Sequence, residues 1–124
     1  MSQTSIDVYN PGHDITGRAA TKVEASRFLA ITGNSASGVL TVGHAVAGGR
    51  VAGVAKYGAE AGELVGLARG NSRVVRVVAA SSIAAFGDVE VGPDAKAVPA
   101  TTGKVVGYAI TSATAGSLAA ISLA

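Results

Sequence analysis

The sequence predicts an all-β protein, a compact small barrel or sandwich with little helix, from three observations. Val outnumbers Leu by 17 to 6, and β-branched residues favour strands whereas Leu favours helices. Short apolar runs are separated by turn-forming residues at intervals of roughly 10–12 residues, which is typical of small all-β folds. One pair of adjacent runs also occurs twice in the sequence. A chain of 124 residues is expected to form one domain.

The extended runs follow one another along the whole chain, and Gly, Asn, Asp or Pro lies near most of their ends. The predicted strands are residues 15–19, 28–32, 39–42, 50–57, 63–69, 73–79, 88–91, 104–111 and 117–123. The only helical segment expected is a short turn at residues 81–86. Because several strands carry small or apolar side chains on both faces, we expect them to be buried twice or covered by another subunit.

The repeated pair of runs indicates a duplicated β-hairpin. Residues 49–68 and 103–122 are identical at eight of twenty aligned positions. Each copy contains a strand, an Ala-Gly turn and a second strand. Gly53 and Gly107 hold equivalent places in the first strand of each copy, and a glycine inside a strand often marks a close approach of another backbone. Both are therefore predicted to be structural glycines.

The N-terminal residues are predicted to form an arm, residues 1–12, ahead of a domain at residues 13–124. The arm is polar, with candidate contact residues at Ile6, Val8, Tyr9, Asn10 and Pro11. It could order on binding a partner or be an ordinary frayed terminus. It has no secretory signal pattern, and no apolar run reaches the roughly 18 residues of a membrane span. We therefore expect no membrane partner.

No residue pattern indicates catalysis, so we expect no enzyme, no cofactor and no metal site. The chain has no Cys, and neither His13 nor His44 has a cluster of potential ligands near it in sequence. Residues 33–38 do not match the Gly-x-Ser-x-Gly pattern of a nucleophile elbow, because Ser37 stands where the last glycine should be. Residues 48–53 depart from the dinucleotide-binding pattern because Arg50 stands where its second glycine should be.

Three arginines, Arg69, Arg73 and Arg76, form the only basic concentration in a chain of net charge +2. In a strand, Arg73 and Arg76 would point to opposite faces because their spacing is odd. No aromatic residue lies between them to stack on a base. We therefore expect no nucleic-acid partner, and interpret these residues as solvated edges or protein contacts.

Several short stretches, in this order and spacing, are similar to the tailed-phage capsid cement, or head decoration, proteins. The resemblance covers about residues 9 to 124 and includes no catalytic signature. The stretches are residues 9–12 with 15–16, 26–33, 51–55, 61–64, 83–88, 94–99 and 105–110 with Gly116. Two features depart from the family pattern: Phe86 is an extra residue, and residues 71–73 replace a Gly-rich turn.

The resemblance implies a β-tulip-like, non-enzymatic structural protein of the phage virion. Such a protein is made in the host cytoplasm and binds the major capsid protein on the outer surface of the expanded head. It is expected there as a homotrimer at threefold and quasi-threefold positions, where it stabilises the shell against internal DNA pressure. The alternative is a ligand- or carbohydrate-binding β-module displayed on a virion.

Overall fold

A computed structural model describes residues 12–124, and almost all of its regular structure is β. In the described range no helix is long and apolar enough to cross a membrane. Apart from one 3-10 turn at Pro93–Ala95, the elements are β1 (Ile15–Ala19), β2 (Phe28–Ala36), β3 (Val39–His44), β4 (Gly53–Ala55), β5 (Leu64–Ala68), β6 (Val74–Val78), β7 (Asp88–Val91), β8 (Ala97–Pro99), β9 (Gly107–Ala109) and β10 (Leu118–Leu123). The all-β prediction is confirmed.

The first five strands close into a small barrel in the order β1-β3-β2-β4-β5. Strand β1 completes it, pairing in parallel with β3 and antiparallel with β5. Alternate residues of β1 are buried, as expected for a strand with one face on a core. Leu29, Val42, Val65 and Leu67 are fully buried inside this barrel.

The last five strands form a second sheet in the order β6-β10-β9-β7-β8. Its two edge strands approach each other through one isolated parallel bridge, between Ala79 and Ala97. Val77, Val89 and Ile121 are fully buried in its core. The second sheet is thus a more open version of the first barrel.

The duplicated hairpin is confirmed, with identical strand register in both copies. Val54 pairs with Ala68, and the residues 54 positions later, Tyr108 and Ser122, pair with each other. The turns match as well, because Gly62 and Gly116 both adopt positive φ, at 89° and 85°.

The duplication extends beyond the hairpin to the whole five-stranded unit. Ile15 pairs with Leu67, and Val75 pairs with Ile121 at the corresponding place. We call β1–β5 the first half and β6–β10 the second half. Residues before the β2–β3 hairpin have their counterparts 60 positions later, and residues of β4 and β5 have theirs 54 positions later.

The two halves differ most at the hairpin between their second and third strands. In the first half β2 continues beyond the predicted residue 32 to Ala36, and its hairpin with β3 has two register shifts. The second half has the 3-10 turn and the short β8 instead, neither of which was predicted. Strands β4 and β9 are also shorter than predicted.

Residues 81–86 do not form the expected helical turn. Ile83 makes an antiparallel bridge with Ala113, as Val23 does with Ala59 in the first half. The helical prediction was wrong because Ile83 pairs across the sheet, and the backbone after it forms a single non-helical turn in which the Gly87 N–H donates to the Ala84 carbonyl at 3.1 Å.

Each half has its own apolar core, but part of the first half packs into the core of the second. Phe28, Val54 and Ala68 belong to the first half but pack with the core of the second half. The backbone joins the halves too: the Val78 N–H donates to the Ser26 carbonyl at 3.0 Å, and the Gly48 N–H donates to the Val91 carbonyl at 2.8 Å.

Candidate interaction surfaces

The candidate contacts in the N-terminal arm, Ile6, Val8, Tyr9, Asn10 and Pro11, lie outside the described residues. Gly12, the last residue of the predicted arm, is exposed. It lies beside Gly70, where the two halves join, because a Cβ added to Gly70 would be 2.7 Å from the Gly12 Cα. The arm therefore joins the described structure at the junction between the halves.

The three arginines lie at two different places. Arg69 and Arg73 are neighbours, since Arg73 Nη1 donates to the Arg69 carbonyl at 3.3 Å. Arg69 also lines a groove of about 230 Å³ between the halves. Arg76 is exposed in another groove, of about 600 Å³, formed by β6 and the first-half strands β4 and β5. The structure thus does not bring the three together on one surface.

Arg73 takes part in an ion-pair cluster around Asp14. Arg73 Nη1 lies 2.6 Å from Asp14 Oδ1, and Lys56 Nζ lies 2.5 Å from Asp14 Oδ2. Hydrogen bonds from Lys56 and then Arg73 hold the pKa of Asp14 below its ordinary value. Because Arg73 immediately precedes β6, the cluster connects the start of the second half to the first barrel.

Gly53 and Gly107 each lie directly against the neighbouring strand of their hairpin. A Cβ at Gly53 would lie 2.8 Å from the Ala68 carbonyl oxygen. At Gly107 it would clash with the Ser122 carbonyl oxygen and lie 2.8 Å from Ile121 Cγ2. The two halves therefore have the same close approach at equivalent positions.

An exposed apolar surface on the second half was missed in the sequence. Tyr108 lies on the central strand β9 and Ile110 directly follows that strand, and Val74, Arg76 and Leu118 lie on the same outward side. Phe86 stands beside them and is 76% exposed. We call this surface, Val74, Phe86, Tyr108, Ile110 and Leu118, the outer face. Strand alternation could have placed Tyr108 on it, but only the pairing partners show that these residues share one side.

A second apolar region lies on the first half, around Ile31 and Val46. It is a groove of about 550 Å³ that also includes His44 and Arg50. His44 Nε2 accepts a hydrogen bond from the Glu24 N–H at 3.1 Å. Burial, with a smaller effect of Arg27, lowers the pKa of His44, so the structure favours the neutral ring that can accept this bond.

Glu90 is a buried carboxylate at the other junction between the halves. Its Oε1 accepts hydrogen bonds from the Thr101 N–H at 2.9 Å and the Thr101 hydroxyl at 2.7 Å. The hydroxyl bond is the main reason that the pKa of Glu90 lies below its ordinary value. Gly103 and Gly48 pack directly beside it. Through these hydrogen bonds, Glu90 holds the loop that follows β8 in place.

Among residues 12–124, no group of three His, Asp or Glu side chains lies close enough to hold a metal ion. The grooves of about 600 and 550 Å³ are lined by backbone, apolar and scattered charged groups.

No protein-family model and no curated protein matches the chain. Among solved structures, the fold is similar to the crystal structure of the head fiber gp8.5 N base in bacteriophage phi29, with a TM-score of 0.77 and 26% sequence identity. The similarity covers 90% of this chain and 93% of that chain. It includes both halves and confirms the resemblance to phage head decoration proteins that the sequence indicates.

Proposed function

We propose that the chain is a non-enzymatic structural protein of a phage virion that binds the major capsid protein on the outer surface of the head. The observation that carries this proposal is the similarity in fold, over nine tenths of the chain, to a head fiber base. We further propose that it binds there as a homotrimer at threefold and quasi-threefold positions. In this position it stabilises the shell against internal DNA pressure.

The surface properties support such a role. Ten large apolar side chains in the described range are exposed, including Phe86 and Val46 at 76% and 73%. Protein-binding surfaces are a common reason for apolar patches of this kind. On a lattice of capsid subunits, many weak contacts add up through multivalency, and binding to the assembled shell stabilises it by mass action.

Sedimentation with phage heads tests the proposal. The purified protein is mixed with expanded heads that lack it, and the bound protein is measured as its concentration rises. We expect saturation at a fixed multiple of the capsomer number and a higher temperature of DNA release. Heads that bind none of the protein would overturn the proposal, and binding without a change in DNA release would overturn only the stabilising role.

The N-terminal arm is proposed to contribute to attachment. Deleting residues 1–10 is expected to weaken binding to heads while leaving the melting temperature of the domain almost unchanged. Equal affinity of the shortened and full chains would contradict this role.

A ligand- or carbohydrate-binding module is the second candidate, and the groove around Ile31 and Val46 is the feature that favours it. Its lining includes His44 and Arg50 but no Tyr, Trp or Phe, whereas sugars commonly stack on such rings. Saturable binding of a glycan by the isolated protein, abolished by Arg50→Ala, would support this candidate.

A further inference from the structure

A groove between the two halves begins where the N-terminal arm joins the described structure. Its volume is about 230 Å³, and we call it the junction groove. Its first-half wall is formed by residues 51–53 and 69–70, and its second-half wall by residues 104–106 and 123–124. Gly12 packs against Gly70, so the chain enters the described structure at a residue that lines this groove.

The register of β1 on β5 shows the direction from which the chain arrives. Ile15 pairs with Leu67, and the same register places Gly12 opposite Gly70. The chain of β5 turns aside at this point, because the Arg73 N–H donates to the Gly70 carbonyl at 3.2 Å. A chain that continues the line of β1 backwards beyond Gly12 therefore passes this turn and meets the junction groove.

Backbone hydrogen bonds hold both walls of the junction groove in place. The Lys104 N–H of the second half donates to the Gly48 carbonyl of the first half at 3.0 Å. The Ser72 N–H, in the turn beside Gly12, donates to the Leu123 carbonyl at 2.7 Å. A binding site whose shape is already fixed loses less entropy when a segment of chain binds in it.

The lining of the junction groove combines apolar surface with positive charge. Val105 is 43% exposed, and Val51 and Leu123 also line the groove. Its charged lining residues are Arg69 and Lys104, and no Asp or Glu of residues 12–124 lines it. The segment that fits such a groove carries apolar side chains and a negative charge.

The part of the arm before Gly12 has this composition. Asp7 is the only charged side chain in residues 1–11, and it stands between the apolar residues Ile6 and Val8. An extended chain advances about 3.3–3.6 Å per residue, so Asp7 can reach about 17 Å from Gly12. A groove of about 230 Å³ that begins at Gly70 lies within this reach.

We propose that the junction groove binds the N-terminal arm of the same chain, with the Asp7 carboxylate against the Lys104 ammonium and an apolar arm residue against Val105. The arm is attached at the rim of the groove, so its effective concentration there exceeds that of any free segment. An ion pair at the surface adds little to the stability of a domain. The arm therefore stays available to a phage head, and its deletion leaves the melting temperature almost unchanged.

The groove of about 600 Å³ around Arg76 is the other surface that the arm could reach. Its lining residue Lys56 contacts Asp14, two residues after Gly12. The junction groove is favoured because Gly12 packs directly on one of its lining residues. The groove around Arg76 provides the control for the experiment.

Disulfide trapping in the full chain tests the proposal. The chain has no Cys, so two introduced cysteines report on one contact. Val105→Cys is combined with Ile6→Cys or with Val8→Cys, because the direction of the arm along the groove decides which of these two faces Val105. The matched control is Ile110→Cys, which lines the groove around Arg76 and is 41% exposed. We expect one Val105 pair to form its disulfide within the chain faster than either control pair, by on the order of tenfold or more.

Charge reversal tests the ion pair in the Val105 pair that reacts faster. Asp7→Lys should slow disulfide formation by roughly threefold or more, because it replaces an attraction by a repulsion. Adding Lys104→Glu should restore the rate, since the two charges are then exchanged. Arg76→Glu, combined with Asp7→Lys, is the control and should restore nothing. Melting temperatures check that every variant is folded.

Three results would overturn the proposal: equal rates for the Val105 and Ile110 pairs, a faster reaction of the Ile110 pairs, or disulfides formed mainly between two copies. A rate that does not respond to charge reversal would overturn the contact between Asp7 and Lys104. The disulfide is measured on the free protein and binding to heads is measured separately. A failure of the proposed function is thereby distinguished from a failure of this contact.

Discussion

Glu90 shows how one carboxylate can hold a loop between the two halves. Its oxygen accepts two hydrogen bonds from Thr101, and such bonds are stronger when the acceptor is charged. We expect Glu90→Gln to lower the melting temperature at neutral pH, because the amide accepts more weakly and adds two donors at a crowded site. Thermal unfolding followed by circular dichroism measures this effect.

The pH dependence of the same variant gives a second readout. Because the pKa of folded Glu90 lies below its ordinary value of 4.5, its contribution to stability is complete above about pH 4.5 and is lost as the pH falls through the lower, folded pKa. The difference in melting temperature between wild type and Glu90→Gln should therefore narrow in acid. Glu60→Gln, at an exposed position, is the control. A difference that is the same at every pH would contradict this account.

At the scale of single elements, the two hairpins depend on their glycines. Gly53→Val and Gly107→Val should each cost about 1–3 kcal/mol or more, since the new side chains meet a neighbouring strand that cannot move freely. Gly66→Ala is the matched control: a Cβ there makes only ordinary contacts, of 3.5 Å or more, and the equivalent residue of the second half is Ala120. Urea unfolding measures the free energy of unfolding of the three variants, and Gly66→Ala should be the least destabilised. Wild-type stability in both valine variants would refute the close approach.

One pair of neighbouring core positions is filled by different residues in the two halves. In the first barrel Gly17 lies against Val42, and a Cβ on Gly17 would be 2.9 Å from Val42 Cγ2. In the second half the equivalent residues are Val77 and Ala97, both fully buried. A large side chain on one strand is thus matched by a smaller one on its neighbour.

A double-mutant cycle tests this exchange of volume. Gly17→Val alone should cost about 1–3 kcal/mol by overpacking, and Val42→Ala alone about 2 kcal/mol through the cavity it leaves. The double variant reproduces the second-half pair and should be more stable than the sum by about 1 kcal/mol or more. Additive costs in urea unfolding would show that the two positions do not share space.

Most strands could be predicted from the sequence because their β-branched runs end at Gly, Asn or Asp, as at residues 28–32 and 88–91. The full duplication could not be predicted, because the first strands of the two halves have the same pattern of burial but few identical residues. Ile15 and Thr16, for example, correspond to Val75 and Arg76. The outer face was missed for a similar reason. Phe86 was visible only as a departure from a family pattern, whereas its equivalence to Ser26 depends on backbone hydrogen bonds.

At the scale of the whole molecule, the core of the second half includes side chains of the first half. Phe28 and Leu29 are adjacent and fully buried, but Phe28 packs in the second-half core and Leu29 in the first barrel. Phe28→Ala should cost about 3–5 kcal/mol and increase amide exchange mainly in β6 and β10. Leu29→Ala, as the matched variant, should increase exchange in both halves, because Phe28, Val54 and Ala68 of the first half pack in the core of the second.

Hydrogen exchange measured strand by strand separates these outcomes. Uniform loss of protection in both variants would mean that the molecule opens as one unit. Loss confined to the first barrel in Leu29→Ala would mean that the second sheet needs no support from it.

The strands of the closed barrel are also synthesised before those of the open sheet. Ribosomes deliver the chain from its N-terminus, and domains generally fold as they emerge. The first barrel has all its strands by residue 68. By the time β10 leaves the ribosome, Phe28 is already in place as a template on which the second sheet can close. A chain with its halves exchanged in sequence would lack that advantage, so its newly made second sheet would stay open longer during synthesis.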